Sequence, residues 1–105
     1  VLNSPKNINI NANVYPFIEI IMRVDGGTEA EINFVTDDDP MLKWQRLFAF
    51  ELIPDGEMHR YVIDLREFSW WDGTVKYLRF RPVNAGLVDI EIQSIRILAE
   101  IEELD

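Results

Sequence analysis

Phe17-Ile18-Glu19-Ile20-Ile21-Met22-Arg23-Val24-Asp25-Gly26-Gly27-Thr28-Glu29-Ala30-Glu31-Ile32-Asn33-Phe34 decides the fold class of this 105-residue chain. From Ile18 to Val24 the even positions carry Ile, Ile, Met and Val, while Glu19 and Arg23 point the other way. Ala30, Ile32 and Phe34 form a second apolar set, alternating with Glu29, Glu31 and Asn33. Side chains that alternate with period two belong to strands with one buried face. Asp25-Gly26-Gly27 between the two sets predicts a hairpin turn, since glycine takes positive φ at little cost.

The same period runs outward in both directions. Asn7 to Asn13 alternates Asn-Ile-Asn-Ile-Asn-Ala-Asn before Tyr15-Pro16 breaks it. Asp37-Asp38-Asp39-Pro40 ends the strand that begins at Glu29. Phe48, Phe50 and Leu52 share a face, and Pro54-Asp55-Gly56-Glu57 reads as a β-turn into Met58 to Leu65. After the loop from Arg66 to Thr74, Leu78 and Phe80 face one way and Tyr77, Arg79 and Arg81 the other. Val88, Ile90 and Ile92 are in phase, the phase slips at Gln93-Ser94, and Ile95 and Ile97 resume it, as a β-bulge would produce. Seven or eight short strands at this spacing predict an all-β, antiparallel sandwich or barrel forming one domain over residues 1–105. Residues 99–105 read as an acidic tail, either a final helical turn or a frayed end.

Composition narrows the function classes. Thirteen Ile and eight Val against nine Leu and five Ala favour strands over helices. Nineteen Asp+Glu against ten Lys+Arg leave a net charge of −9, which repels nucleic acid and anionic membranes. No apolar run is long enough for a membrane-spanning helix. The opening Val1-Leu2-Asn3-Ser4-Pro5-Lys6 lacks the order of a signal peptide, which predicts that one is absent or already removed. Zero cysteines exclude disulfides, thiolate metal sites and a cysteine nucleophile, and one histidine excludes multi-histidine metal sites.

Four phrases in order resemble the galactose-binding-like, jelly-roll β-sandwiches found as carbohydrate-binding modules beside polysaccharide-degrading enzymes. They are Tyr15 to Ile32, Asp55 to Leu65, Trp71-Asp72-Gly73-Thr74-Val75-Lys76-Tyr77-Leu78-Arg79-Phe80-Arg81-Pro82, and Val88 to Ile97. The resemblance implies a jelly-roll sandwich in a secreted, bacterial protein, a polysaccharide or oligosaccharide ligand, and a covalently linked catalytic module. Such modules carry additional N-terminal strands, so the chain is either trimmed or has an edge completed by another chain, an edge-strand association. Where these modules place an aspartate near a structural calcium, this chain has Gln93, a poorer ligand for a hard cation, so no cofactor or metal is expected.

Sugar rings stack their C–H faces on flat side chains, and planar polar groups pair with the hydroxyls. Trp70, Trp44 and Trp71 are the candidate platforms, with Tyr77 extending them and Arg79 and Arg81 pairing with hydroxyls or a uronate carboxylate. Against this stands the usual burial of tryptophan. Trp71 occupies the position of a recurrent packing Trp in the resembling modules, whereas its neighbour Trp70 points away in extended chain and is the one expected in solvent. Trp44 follows a loop but shares parity with Phe48 and Phe50, which argues for the core; if the strand begins only at Arg46 that parity lapses and the loop presents Trp44 to solvent. The competing role for Arg79 is cross-strand ion pairing with Glu19, Glu29, Glu31 or Glu91. Asp37-Asp38-Asp39 lacks the spacing of a calcium loop and reads as a solvated acidic turn. His59, Asp64 and Ser69 show no spacing that links them into a catalytic set.

The function expected is therefore non-catalytic binding of polysaccharide that targets an attached enzyme. The alternative is a structural or protein-interaction spacer of a larger secreted protein, and a weaker third reading is a small jelly-roll lyase or hydrolase.

Overall fold

The computed structural model describes residues 2–4, 8–37, 46–84 and 86–100. Its strands are β1 (Leu2–Asn3), β2 (Ile10–Asn11), β3 (Phe17–Val24), β4 (Glu29–Thr36), β5 (Leu47–Glu51), β6 (Met58–Asp64), β7 (Thr74–Arg81) and β8 (Ile90–Leu98). They form two antiparallel sheets, one ordered β1-β7-β4-β5 with β2 also on β7, the other β6-β3-β8. The chain is an all-β, two-sheet sandwich, as the alternation predicts.

The inward faces are the predicted ones. Ile18, Ile20, Met22 and Val24 of β3 are fully buried and look across the core at Ala30, Ile32 and Phe34 of β4, with Tyr61, Ile63, Val75 and Phe80 closing the interior. β3 and β4 lie in different sheets, so Asp25-Gly26-Gly27 is not a hairpin turn but a crossing between the layers. Pro54-Asp55-Gly56-Glu57 likewise carries the chain from β5 to β6, in the opposite sheet. The alternating run at Asn7 to Asn13 contributes only the two-residue β2 to the ladder; with β1, it lies along one edge of β7. The expected bulge in β8 is present: Ser94 faces Ile21 and Ile92 faces Met22, leaving Gln93 as the extra residue. A second bulge falls at Lys76, between the partners of Val35 and Thr36. The predicted tail extends past residue 100, outside the described residues.

A charged residue in the outward phase is buried. Glu19, at the centre of β3, is only 3% exposed. Arg60 Nε of β6 donates to its Oε2 at 2.7 Å, and Arg96 Nε of β8 to its Oε1 at 2.9 Å. These two guanidiniums hold the Glu19 carboxyl below its ordinary value of 4.5, against the opposing effect of burial. A carboxylate whose folded pKa is depressed stabilises the fold above the unfolded pKa, and that stability drains away as pH falls through the folded value. Urea midpoints should therefore hold steady above about pH 5 and fall in acid, starting near the ordinary carboxylate value. Glu19→Gln should be less stable by about 2 kcal/mol at neutral pH, the worth of hydrogen bonds to charged groups, and show a flatter acid limb. An unchanged acid limb in Glu19→Gln would assign the loss to other carboxylates, such as Asp64 under Arg66.

Candidate binding face

The outer face of the five-stranded sheet is laid out by strand register. Asn33 of β4 stands opposite Arg79 of β7 on one side and Leu47 of β5 on the other, while Arg79 stands opposite Asn3 of β1. The next row is Arg81, Glu31 and Ala49, and the row before it holds Tyr77 and Val35. Short side chains at Asn33 and Ala49 between longer neighbours leave a depression of about 380 Å³ lined by Glu31, Asn33, Leu47, Arg79 and Arg81.

Its polar groups are unevenly satisfied. Arg81 Nη1 lies 3.8 Å from Glu31 Oε2, a long, solvent-exposed pair. Among the described residues Arg79 has no ion pair, so the predicted competition with Glu19, Glu29, Glu31 or Glu91 is not what occupies it. The Oδ1 of Asn33 is buried without a hydrogen-bond partner among the described residues. Buried acceptors of this kind are uncommon, because desolvating an unpaired polar atom costs about 1–3 kcal/mol. Tyr77 donates its hydroxyl to Asn3 Oδ1 at 2.5 Å, which fixes the ring at the edge of the face.

The two adjacent tryptophans separate across the turn that holds them. Trp70 is 46% exposed in the β6–β7 loop, and the Arg46 guanidinium carbon sits 5.8 Å from the centre of its ring. Arg46 immediately precedes Leu47, so Trp70 stands at the end of the face where β5 begins. Trp71 is 5% exposed and belongs to the core: its ring meets Phe34 edge-on and its Nε1–H donates to the Tyr15 carbonyl at 3.1 Å. As a platform for ligand it is corrected to a packing residue. Trp44 lies outside the described residues, as do Asp38 and Asp39; Asp37 accepts from the Thr74 amide and is a strand-end cap.

Thus the structure brings Tyr77, Arg79 and Arg81 together on β7, places Trp70 beyond them, and removes Trp71. Asn33, Glu31 and Leu47 complete the depression. Parity puts Asn33 and Glu31 on the outward face, but only the β4–β7 register says which cations they meet.

The rest of the surface offers little chemistry. His59 Nε2 lies 2.9 Å from both carboxylate oxygens of Asp55, not near Asp64, which is held by Arg66. The Glu57 amide and His59 hold Asp55 below its ordinary pKa. Ser69 sits in the loop at the other end of β6. Among the described residues no three His, Asp or Glu side chains are placed to hold a metal ion. Among them, too, no helix is long and apolar enough to cross a membrane. The chain matches no protein-family model, no curated protein and no solved structure.

Proposed function

We propose that this sandwich is a non-catalytic carbohydrate-binding module whose ligand lies across the outer face of the five-stranded sheet. The observation that carries the reading is an orphaned acceptor, Asn33 Oδ1, in register on adjacent strands with Arg79, a donor fork that has no ion pair among the described residues. A sugar hydroxyl both donates and accepts. One hydroxyl can give its proton to Asn33 while a neighbour accepts from Arg79, so a vicinal pair satisfies both. Arg81, already shared with Glu31, adds a second donor, and the rings of Tyr77 and Trp70 supply stacking surfaces at the margin. A module of this type acts in a secreted protein by holding a covalently linked enzyme near its polysaccharide, which raises the local substrate concentration. The galactose-binding-like, jelly-roll resemblance of the sequence supports the same reading.

The test is calorimetric titration against neutral and uronate-containing polysaccharides. Arg79→Ala should weaken binding at least about tenfold, the effect of one charge-assisted hydrogen bond, with the fold intact by circular dichroism. Saturable binding that is untouched by Arg79→Ala but lost in Trp70→Ala would move the site to the β6–β7 rim. No binding to any member of the panel would favour the alternative, an interaction sandwich without a sugar site, which draws on the edge of β8 that is unpaired among the described residues.

A further inference from the structure

Among the described residues β8 is paired with β3 on one side and with nothing on the other. Its core-facing residues are Ile90, Ile92, Ile95 and Ile97, opposite Val24, Met22, Ile20 and Ile18. They should be buried, yet Ile90 is 36% and Ile95 41% exposed. Ile92 and Ile97 still pack partly against the core, but the five-stranded sheet ends in the short β1 and β2 and leaves Ile90 and Ile95 uncovered. A half-open apolar cleft of about 410 Å³ remains between the layers, walled by Leu2, Ile8, Ile10, Leu78, Ile95 and Ile97 among others. An unpaired nine-residue edge above a half-covered row of isoleucines is a surface that natural sandwiches cover.

The pattern along β8 states what covers it. Ile92 and Ile95 are three apart and would face opposite ways in a regular strand, but the extra residue Gln93 returns both to the core side. The strand therefore reads inward at 90 and 92, outward at 91, and then mirrors itself, inward at 95 and 97 and outward at 96. A two-fold axis between Gln93 and Ser94 sets Ile92 against Ile95 of a second copy and Ile90 against Ile97 of a second copy, all on the core side. On the outer side it sets Glu91 against Arg96 of the second copy, twice. Arg23 already neighbours Glu91 at 3.4 Å and Glu19 already holds Arg96. The row would run Arg23, Glu91, then Arg96 and Glu19 of the second copy, with signs alternating throughout.

We infer that the chain forms a two-fold dimer by antiparallel β8–β8 pairing, giving one six-stranded sheet. The interface is self-complementary, as closed two-fold contacts must be. It satisfies the edge backbone, extends the inner isoleucine face on both sides of the axis, and turns the two half-open clefts toward each other. It does so despite a net charge of −9 on each copy, because its own charged pairs are of opposite sign.

Sedimentation equilibrium of the chain from micromolar to millimolar concentration tests this, the expected result being a reversible dimer of twice 12.3 kDa. Glu91→Arg opposes like charges at both ends of the pair and should raise the dissociation constant about tenfold, from roughly 1.4 kcal/mol spread over two contacts. Ile95→Lys should do at least as much, whereas Trp70→Ala should leave the dimer unchanged. Since the chain contains no cysteine, an oxidised mixture of Gln93→Cys and Ser94→Cys chains should cross-link across the axis even if Ile95→Lys fails to fold. A single 12.3 kDa species at every concentration would overturn the inference, and so would a dimer indifferent to both charge and isoleucine variants. Sugar binding is read separately, through Arg79, so either result can fail alone.

Discussion

Replacing Trp71 by alanine will lower the unfolding free energy by about 3–5 kcal/mol, the range for removing a buried large aromatic. Trp71 ends a run of aromatic rings: it meets Phe34 at 4.9 Å and 81°, Phe34 meets Phe68 at 6.1 Å, and Phe68 meets Phe48 at 5.4 Å. Each of these is an edge-to-face contact, the arrangement the ring quadrupoles favour. Phe34 and Phe48 come from the five-stranded sheet, and Phe68 and Trp71 from the loop that crosses to it from β6. The Trp71 amide donates to the Phe68 carbonyl at 3.0 Å and the indole N–H to the Tyr15 carbonyl at 3.1 Å. One side chain therefore ties the β6–β7 crossing, the entry to β3 and the centre of β4. Alanine leaves a void among rings that cannot close on it and leaves the Tyr15 carbonyl without its donor. A domain of this size has a total stability of roughly 5–15 kcal/mol, so the variant sits near its unfolding threshold. Urea denaturation followed by far-UV circular dichroism reads the loss. Trp70→Ala, one residue away and half exposed, should cost less than about 1 kcal/mol. Equal costs for the two would mean that the aromatic group does not anchor the β6–β7 crossing to the five-stranded sheet.

The outcome of that contrast is the one expected from the sequence, but its cause is different: Trp70 and Trp71 lie in a turn closed by the Trp71 amide on the Phe68 carbonyl, not in extended chain. The bulge at Gln93 is legible in the sequence, since a break in a two-residue period can only be absorbed by an extra residue. Two other features are not legible, and for a common reason. The alternation in β3 and β4 tells which side chains face the core but is the same whether the strands pair edge to edge or face each other across it. Asp25-Gly26-Gly27 specifies a reversal and is silent on which sheet receives the chain. The phase of β3 likewise points Glu19 outward, yet phase says nothing of what lies over a face. Two arginines from flanking strands bury it, and their positions follow from register. The candidate face shows the same limit: Arg79 is visible as an outward cation, while its placement beside the orphaned Asn33 depends on which strand lies next to β7.

The layer crossing can be tested directly. Gly27→Ala should destabilise the fold by about 2–4 kcal/mol, with contributions from left-handed backbone strain and from overpacking. Gly27 has φ +85°, and a Cβ there would meet Val83 Cγ2 at 2.3 Å and Asn84 Oδ1 at 3.1 Å. Asn84 is not a passive neighbour. Its Oδ1 accepts from the amides of Thr28 at 2.9 Å and Glu29 at 3.2 Å, and its Nδ2 donates to Thr28 Oγ1 at 2.9 Å. The start of β4 is thereby pinned to the segment that follows β7, so moving Val83 and Asn84 aside weakens the clamp that sets the β4–β7 register. Gly56 provides the control. It has φ +77°, but a Cβ added there would meet nothing within 4 Å, so Gly56→Ala carries the conformational strain alone, about 1 kcal/mol. The difference between the two variants isolates the steric part. If Gly27→Ala costs no more than Gly56→Ala, Val83 yields freely and the close approach is not what fixes the crossing. If the difference is found, the proposed sugar binding should weaken with it in Gly27→Ala, because Asn33 and Arg79 meet through the β4–β7 register.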